Sequence, residues 1–381
     1  MKVKVTLFLI FLIPILCFAT PQSDKETDDL IVYHIFSGDW ALADSLLEAQ
    51  IAQHPQSPKY YALKGPYYFY TRYYNNGALD NDSLIQKMAE YAQKAVEVGE
   101  KDEMTLDDKF FVGTAYGYLS RYHIRTGAYW DTYKAVRNCQ NYLEEVLEED
   151  PSYIDAKMGL AVIEYFTSVQ MQGFMGFVAW IAGVYGNRDS AMMMFHDIAE
   201  NGYWFKDEAK FALAVLYRSP VLEYDVQQAE ILSNQLYEKY PQNVFIINQY
   251  NQMRFLALVE EKGVQILESE IDSLQTKYQV TNAGILNGFG YNLLFNNRSD
   301  EAIVVFEVNA KLFPDIANCY DSLSEAYFTI GDAEKSIFYS QRCLEKLPAD
   351  SSINDAFREQ LRTISEERIE QLGGDTGKVN I

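Results

Sequence analysis

The sequence predicts an all-α protein, an α-solenoid in which helical hairpins stack into a right-handed superhelix. Three observations carry this expectation. Pro314 and Pro348 stand 34 residues apart, each closing an amphipathic run, and a fixed period of that size marks a repeat architecture. Period-two alternation is absent from every stretch bounded by turns, so no strand competes. The chain carries 29 Tyr and 22 Phe against 10 Pro, a balance suited to helices with bulky interlocking faces.

A chain of 381 residues can bury one large core, two domains or an elongated stack. Hydrophobic residues at 48% and charged residues at 23% are ordinary globular values, which excludes global disorder. Acidic residues number 54 against 32 basic ones, a net charge of −22. Such a body repels nucleic acid and anionic membrane surfaces, so no nucleic-acid partner is expected.

Lys2 and Lys4, an apolar run from Val5 to Phe18, and Ala19 before Thr20-Pro21 read as a signal peptide over residues 1–19. Cleavage after Ala19 places Cys17 and Ala19 at the small-residue positions. The alternative, lipidation of Cys17, stays open, although Leu16 before it is a poor fit. Export implies the periplasm or outer membrane of a Gram-negative bacterium.

The repeat domain is expected over residues 20–348 as about eight helical hairpins. Its register is set by the segment from Ala317 to Asp350. There Tyr320, Leu323, Ser324, Tyr327, Gly331, Ser336, Cys343 and Pro348 alternate bulky, small and turn residues. Small residues let the two helices approach, and bulky ones fill the gaps between them. The preceding unit repeats the register through Leu286, Phe289, Gly290, Leu293, Ala302, Phe306 and Pro314. A first unit at residues 24–57 keeps Gly38, Ala43, Leu47 and Pro55. Another, at 210–243, keeps Leu216, Ala229 and Pro241.

Between these units the pattern loosens. Residues 58–99 keep Tyr61, Gly65, Tyr68, Ala92 and Ala95 but carry an insertion around Tyr73 to Ser83, and Gly65-Pro66 is expected to start or kink a helix. Residues 106–151 predict extended helices with Gly127 at the turn. Residues 244–280 keep the helical period without a closing proline. After Pro348, Phe357, Leu361 and Ile364 form the stripe of a capping helix within 349–372, and residues 373–381 read as a disordered tail.

One segment is not generic. No charge occurs between Glu164 and Arg188, and Gly173 to Gly186 is apolar throughout, within an expected insertion over 166–186. It is too short to span a bilayer, which takes about 20 residues. It reads as a buried plug, or as a lip through which Phe174, Phe177 and Trp180 touch lipid or an apolar client.

The period and the small-residue positions are those of the tetratricopeptide repeat. Asp155, Ala156, Gly159, Ala161 and Tyr165, then Gly186-Asn187-Arg188-Asp189, Gly202 and the run from Asp207 to Leu213 resemble a bacterial branch of such proteins. That branch is similar to the eukaryotic tetratricopeptide repeat 39 and inclusion-body-clearance proteins. The resemblance implies a helical scaffold with no catalytic residues to carry over. By the same resemblance a client groove would be lined by Phe69, Tyr70, Asn287, Tyr291, Phe295, Asp321, Glu325 and Phe328. Aromatic and acidic lining implies an apolar or basic protein or peptide client.

Catalytic chemistry finds no constellation. His34, His54, His123 and His196 are too scattered for a metallohydrolase helix. Gly288-Phe289-Gly290 lacks the third glycine and the strand of a dinucleotide loop. Glu144-Glu145 and Glu148-Glu149 read as a solvated helix face. Cys139, Cys319 and Cys343 form no CxxC pair and read as small buried side chains. No enzyme activity, metal or cofactor is expected, and the sequence leaves the oligomeric state open.

Overall fold

The computed structural model describes residues 24–74, 81–170, 186–219 and 222–373. The signal peptide, the tail beyond Gly373 and the expected contact residues Phe174, Phe177 and Trp180 lie outside the described residues. Among those described there is no strand. The helices pair in chain order as α1 (Asp24–Ser37) with α2 (Trp40–Gln53), α3 (Pro58–Tyr74) with α4 (Asn81–Gly99), and α5 (Leu106–Arg125) with α6 (Tyr129–Glu149). Next come α7 (Lys157–Gln170) with α8 (Arg188–Asn201), α9 (Lys206–Arg218) with α10 (Val226–Lys239), and α11 (Val244–Lys262) with α12 (Gln265–Tyr278). The series ends with α13 (Gly284–Phe295) and α14 (Ser299–Leu312), α15 (Ala317–Thr329) and α16 (Ala333–Lys346), and a final α17 (Asp355–Gln371). The molecule is therefore an all-α solenoid of helical hairpins.

Local chemistry sets the hairpin ends. Asp39, Asn187, Asp225 and Asp332 each accept a backbone N–H from the first turn of the helix that follows, which satisfies donors the helix itself leaves orphaned. Thr105 and Asp108 form a reciprocal capping box at α5. Gly38, Gly127 and Gly331 turn the chain with φ of 82°, 74° and 81°, a region that costs a side chain strain.

Small residues hold the paired helices together. A Cβ on Gly290 would lie 2.4 Å from Cε1 of Phe306, so α14 packs its ring directly on the α13 backbone. One repeat later the same position is Ser324, whose Oγ donates to the carbonyl of Ser336 at 2.8 Å and shares a bond with Ser340 Oγ at 2.7 Å. Hydroxyls can thus replace glycine in a fully buried seam because each finds a partner. Cys139, Cys319 and Cys343 are buried and free, and burial pushes each thiol up to about 12.

Gly65-Pro66 behaves differently from its local expectation. Helix α3 runs unbroken through Pro66. Gly65 is there for packing, since its Cβ would stand 2.3 Å from the Tyr118 ring of α5. Next to it, the fully buried Lys64 Nζ reaches Asp44 and Glu48 of α2 at 2.6 Å each and lies 4.9 Å from the Tyr91 ring centroid.

The first hairpins curve round to meet the later ones. A single core runs from Ile31 to Ile246, and within it Phe36, Tyr70, Phe211 and Phe245 stack in sequence across the interior at 4.7, 5.7 and 5.8 Å. Asn243 fastens this closure. Its Oδ1 accepts the backbone N–H groups of Phe245 and Ile246, capping α11, while its Nδ2 donates to the Phe36 carbonyl at the end of α1 at 2.6 Å. Asp28 of α1 is further paired with Lys59 of α3 at 2.7 Å.

Closure also traps charge. Glu208 of α9 is 4% exposed and its Oε2 makes no hydrogen bond among the described residues. Burial pushes its carboxyl up to about 7, against the opposing pull of Arg121. Arg121 itself lies between the rings of Phe69 and Tyr118, 4.7 and 5.1 Å from their centroids.

Asn243→Asp keeps the acceptor that caps α11 but loses the donor to Phe36. It is expected to cost about 1–3 kcal/mol, with hydrogen exchange accelerating in α1 and unchanged in α11. No acceleration in either helix would show that the residue acts only as a cap. For Glu208, the folded chain holds a proton more tightly than the unfolded chain. Its contribution is complete below the ordinary carboxylate range and is lost as pH rises through about 7. Urea unfolding at pH 6 and pH 8 should show stability falling by on the order of 1 kcal/mol, and Glu208→Gln should flatten that slope.

Candidate functional site

The first helix of each hairpin lines the inner face of the solenoid. In the N-terminal part this face is filled. Tyr70 is 1% exposed between Phe36 and Phe211, so it is a core residue and does not line a groove. Phe69 stands beneath the Arg121 guanidinium and meets Tyr70 edge-on at 5.2 Å. The Tyr70 expectation fails because the superhelix closes on itself and buries that position, whereas Phe69 stays half-buried.

Beyond α9 the inner face opens. A cleft of about 440 Å³ lies between α9, α11 and α13. Val215, Met253, Leu256, Ile285 and Phe289 supply its apolar wall. Arg218, Ser219, Gln249, Gln252 and Asn282 supply its polar lining, and Arg218 donates from Nη1 to Gln249 Oε1. Gly284 and Gly288 present bare backbone on the α13 side. None of these residues was expected in the groove. Only Gln249, Gln252, Met253 and Leu256 sit in the unit without a closing proline, and the sequence signal that could have found the cleft is a lone Arg in an otherwise apolar helix end, Ala212 to Arg218.

On its other side α13 faces α15. Tyr291 donates its hydroxyl to Glu325 Oε2 at 2.8 Å and stands 5.7 Å from the Phe295 ring. Asn287 is half-buried one turn earlier, Phe328 is half-buried on α15, and Phe295 is 57% exposed. Tyr291 thus joins Glu325 and Phe295 in one contact set. Asp321 does not join it as a free acid. It is 5% exposed and accepts a hydrogen bond from Arg368 of α17 at 2.8 Å, with Glu325 4.0 Å from the same guanidinium. Burial raises the Asp321 carboxyl and Arg368 opposes that rise. The capping helix thus brings a cation to its buried stripe of Leu361, Ser365 and Ile369, and the acids expected to attract a basic client are partly spent on it.

Among the described residues no three His, Cys, Asp or Glu side chains come together as a metal site, and no helix is long and apolar enough to cross a membrane. Glu144, Glu145, Glu148 and Glu149 are exposed on α6, with Lys109 bridging Glu145 and Glu149.

No protein family and no curated protein matches this sequence. Among solved structures the chain is similar to the yeast Tom70, at 12% identity and a TM-score of 0.32, over 91% of this chain and 77% of that one. It is also similar to the TPR domain of P58(IPK), at 12% identity and a TM-score of 0.25, over 91% of this chain and 98% of that domain. The solenoid of helical hairpins stands on the chain's own helices and their packing.

Proposed function

We propose that the protein is a non-catalytic tetratricopeptide-type scaffold that holds a protein or peptide client in the open part of its inner groove, along α9, α11, α13 and α15. The observation that carries this reading is the contrast along one face. The N-terminal inner surface is filled by its own aromatics, whereas α13 leaves Phe295 57% exposed and also borders a separate cleft of about 440 Å³. Grooves of this kind take extended or helical segments through apolar anchors and main-chain hydrogen bonds. The N-terminal sequence supports a working site in the envelope of a Gram-negative bacterium, and the Asp155 to Leu213 motifs support the branch near the tetratricopeptide repeat 39 proteins.

Phe295→Ala combined with Tyr291→Phe tests the groove. The second change keeps the ring packed on Phe306 while removing the hydroxyl. Affinity for a bound client, read by fluorescence anisotropy, is expected to fall about tenfold, the loss of one apolar anchor. Undiminished affinity would remove these residues from the site.

A second reading has its own observation. At the α5–α6 turn Ile124, Tyr129 and Trp130 are 56%, 68% and 66% exposed. By topology this turn shares an edge of the solenoid with the end of α7. Amphipathic rings suit the boundary of a neutral bilayer. The chain would then co-sediment with phosphatidylcholine vesicles, and Trp130→Ser with Tyr129→Ser would reduce the bound fraction severalfold. A wild-type chain that ignores such vesicles ends this reading.

A further inference from the structure

Carboxylates in this chain are held in a recurring way, by one phenol and one cation together. Glu48 accepts the Tyr91 hydroxyl at 2.8 Å and pairs with the Lys64 ammonium at 2.6 Å. Glu223 accepts the Tyr165 hydroxyl at 2.9 Å and the Nε–H of Arg188. Glu325 accepts the Tyr291 hydroxyl at 2.8 Å, with the Arg368 guanidinium 4.0 Å away. A carboxylate has lone pairs enough for both donors, and the charged one strengthens the set.

The same donors meet across α10, α11 and α12. Arg254 of α11 is exposed and lies over the rings of Tyr250 and Tyr278, 5.4 and 5.7 Å from their centroids. The Tyr278 ring is a fixed platform, 5% exposed and packed 6.1 Å from Phe255. The exposed Lys277 ammonium stands 5.0 Å from that same ring. Tyr250 stacks on Tyr237 of α10 at 4.8 Å and 19°, and neither hydroxyl makes a hydrogen bond among the described residues.

No acid of the chain completes this set. Arg254 and Lys277 form no ion pair among the described residues. Glu238 of α10 accepts from Asn234 at 3.0 Å, Glu260 of α11 accepts the Tyr224 hydroxyl at 3.0 Å, and Glu261 pairs with Lys262 at 2.9 Å. Glu230, Glu268, Glu270 and Asp272, the other acids of these helices, reach neither cation. Two cations gathered around one tyrosine repel each other, in a chain whose net charge is −22. A carboxylate from outside relieves that repulsion.

We propose that this patch docks an acidic segment of a partner protein, with a side-chain carboxylate taken by the Arg254 guanidinium and the Tyr250 hydroxyl beside the Lys277 charge. Ring contact leaves the N–H edge of a guanidinium free to donate in its plane, the geometry a carboxylate fits. At about 3.6 residues per turn, Tyr250 and Arg254 lie roughly a third of a turn round α11 from the cleft residues Gln249, Gln252, Met253 and Leu256. The site is therefore separate from the groove and stands without it.

The test titrates a labelled, end-capped peptide of glutamate and leucine, and its glutamine counterpart, against the full chain by fluorescence anisotropy. The glutamate peptide is expected to bind at least about tenfold more tightly. Arg254→Gln should cost at least about tenfold, and Arg254→Lys, which keeps the charge but not the fork, should fall between it and the wild type. Tyr250→Phe should weaken binding severalfold, and Phe295→Ala should leave it unchanged. Where an Arg254 variant melts below the wild type, Tyr250→Phe and Lys277→Gln decide. The site is overturned by equal binding of the two peptides, by no binding of the glutamate peptide, or by Arg254→Gln binding as tightly as the wild type. It is also overturned if inorganic phosphate displaces the label at lower concentration than unlabelled glutamate peptide. Loss on Phe295→Ala but not on Arg254→Gln moves the peptide to the groove, which overturns this site and supports the groove reading.

Discussion

Closure of the N-terminal hairpins onto α11 is the constraint on which the rest depends, and the Asn243 side chain is its pivot. One amide makes both contacts there, with its oxygen on the first turn of α11 and its nitrogen on the Phe36 carbonyl in the last turn of α1. An exposed cap can be replaced by water, but this residue is 4% exposed, so both ends of the amide must find protein partners. The bond joins residues 207 positions apart in sequence and is a contact no hairpin could make alone. Around it, Tyr33 and Phe36 pack on Tyr240 at 5.5 and 5.8 Å, extending the polar clasp into an aromatic seam.

That closure divides the inner face into two surfaces with different physics. On the N-terminal side aromatic rings, the Lys64 ammonium and the Glu208 carboxyl are removed from water. There a titratable group is held near neutral only because burial disfavours its charge. On the C-terminal side no later hairpin returns to cover α11, α13 and α15, so their inner residues stay wet. The C-terminal end is finished instead by α17, which seals the last hairpin with Leu361 and Ile369 and ties itself down through Arg368 to Asp321. A repeat array needs such ends, because each hairpin buries its apolar face only against neighbours.

Charge follows the same division. A chain this acidic would be expected to show acids wherever it meets solvent, yet the open groove is lined at its cleft by a cation and amides. Carboxylates near it are drawn into contacts with Arg188, Arg368 and tyrosine hydroxyls. Which charges pair internally is a sum that composition does not reveal.

What the sequence determined by itself is the local layer. Helices, turns and the close hairpin seams follow from residues within one period of each other: Gly290 under Phe306, Ser324 between Ser336 and Ser340, Gly331 in its turn, Leu361 on the capping stripe. Their partners lie a few tens of residues away at fixed spacing, so the pattern carries them. The tertiary structure alone decided which inner positions are available. Tyr70 and Phe295 occupy related places on inner helices, but one is 1% exposed and the other 57%. The difference is the return of α9 and α11 onto the first hairpins, set by curvature accumulated over many repeats. Asp321 is similar, because its fate depends on a guanidinium 47 residues later. The cleft is likewise tertiary, because its lining comes from α9, α11 and α13, helices of three successive hairpins.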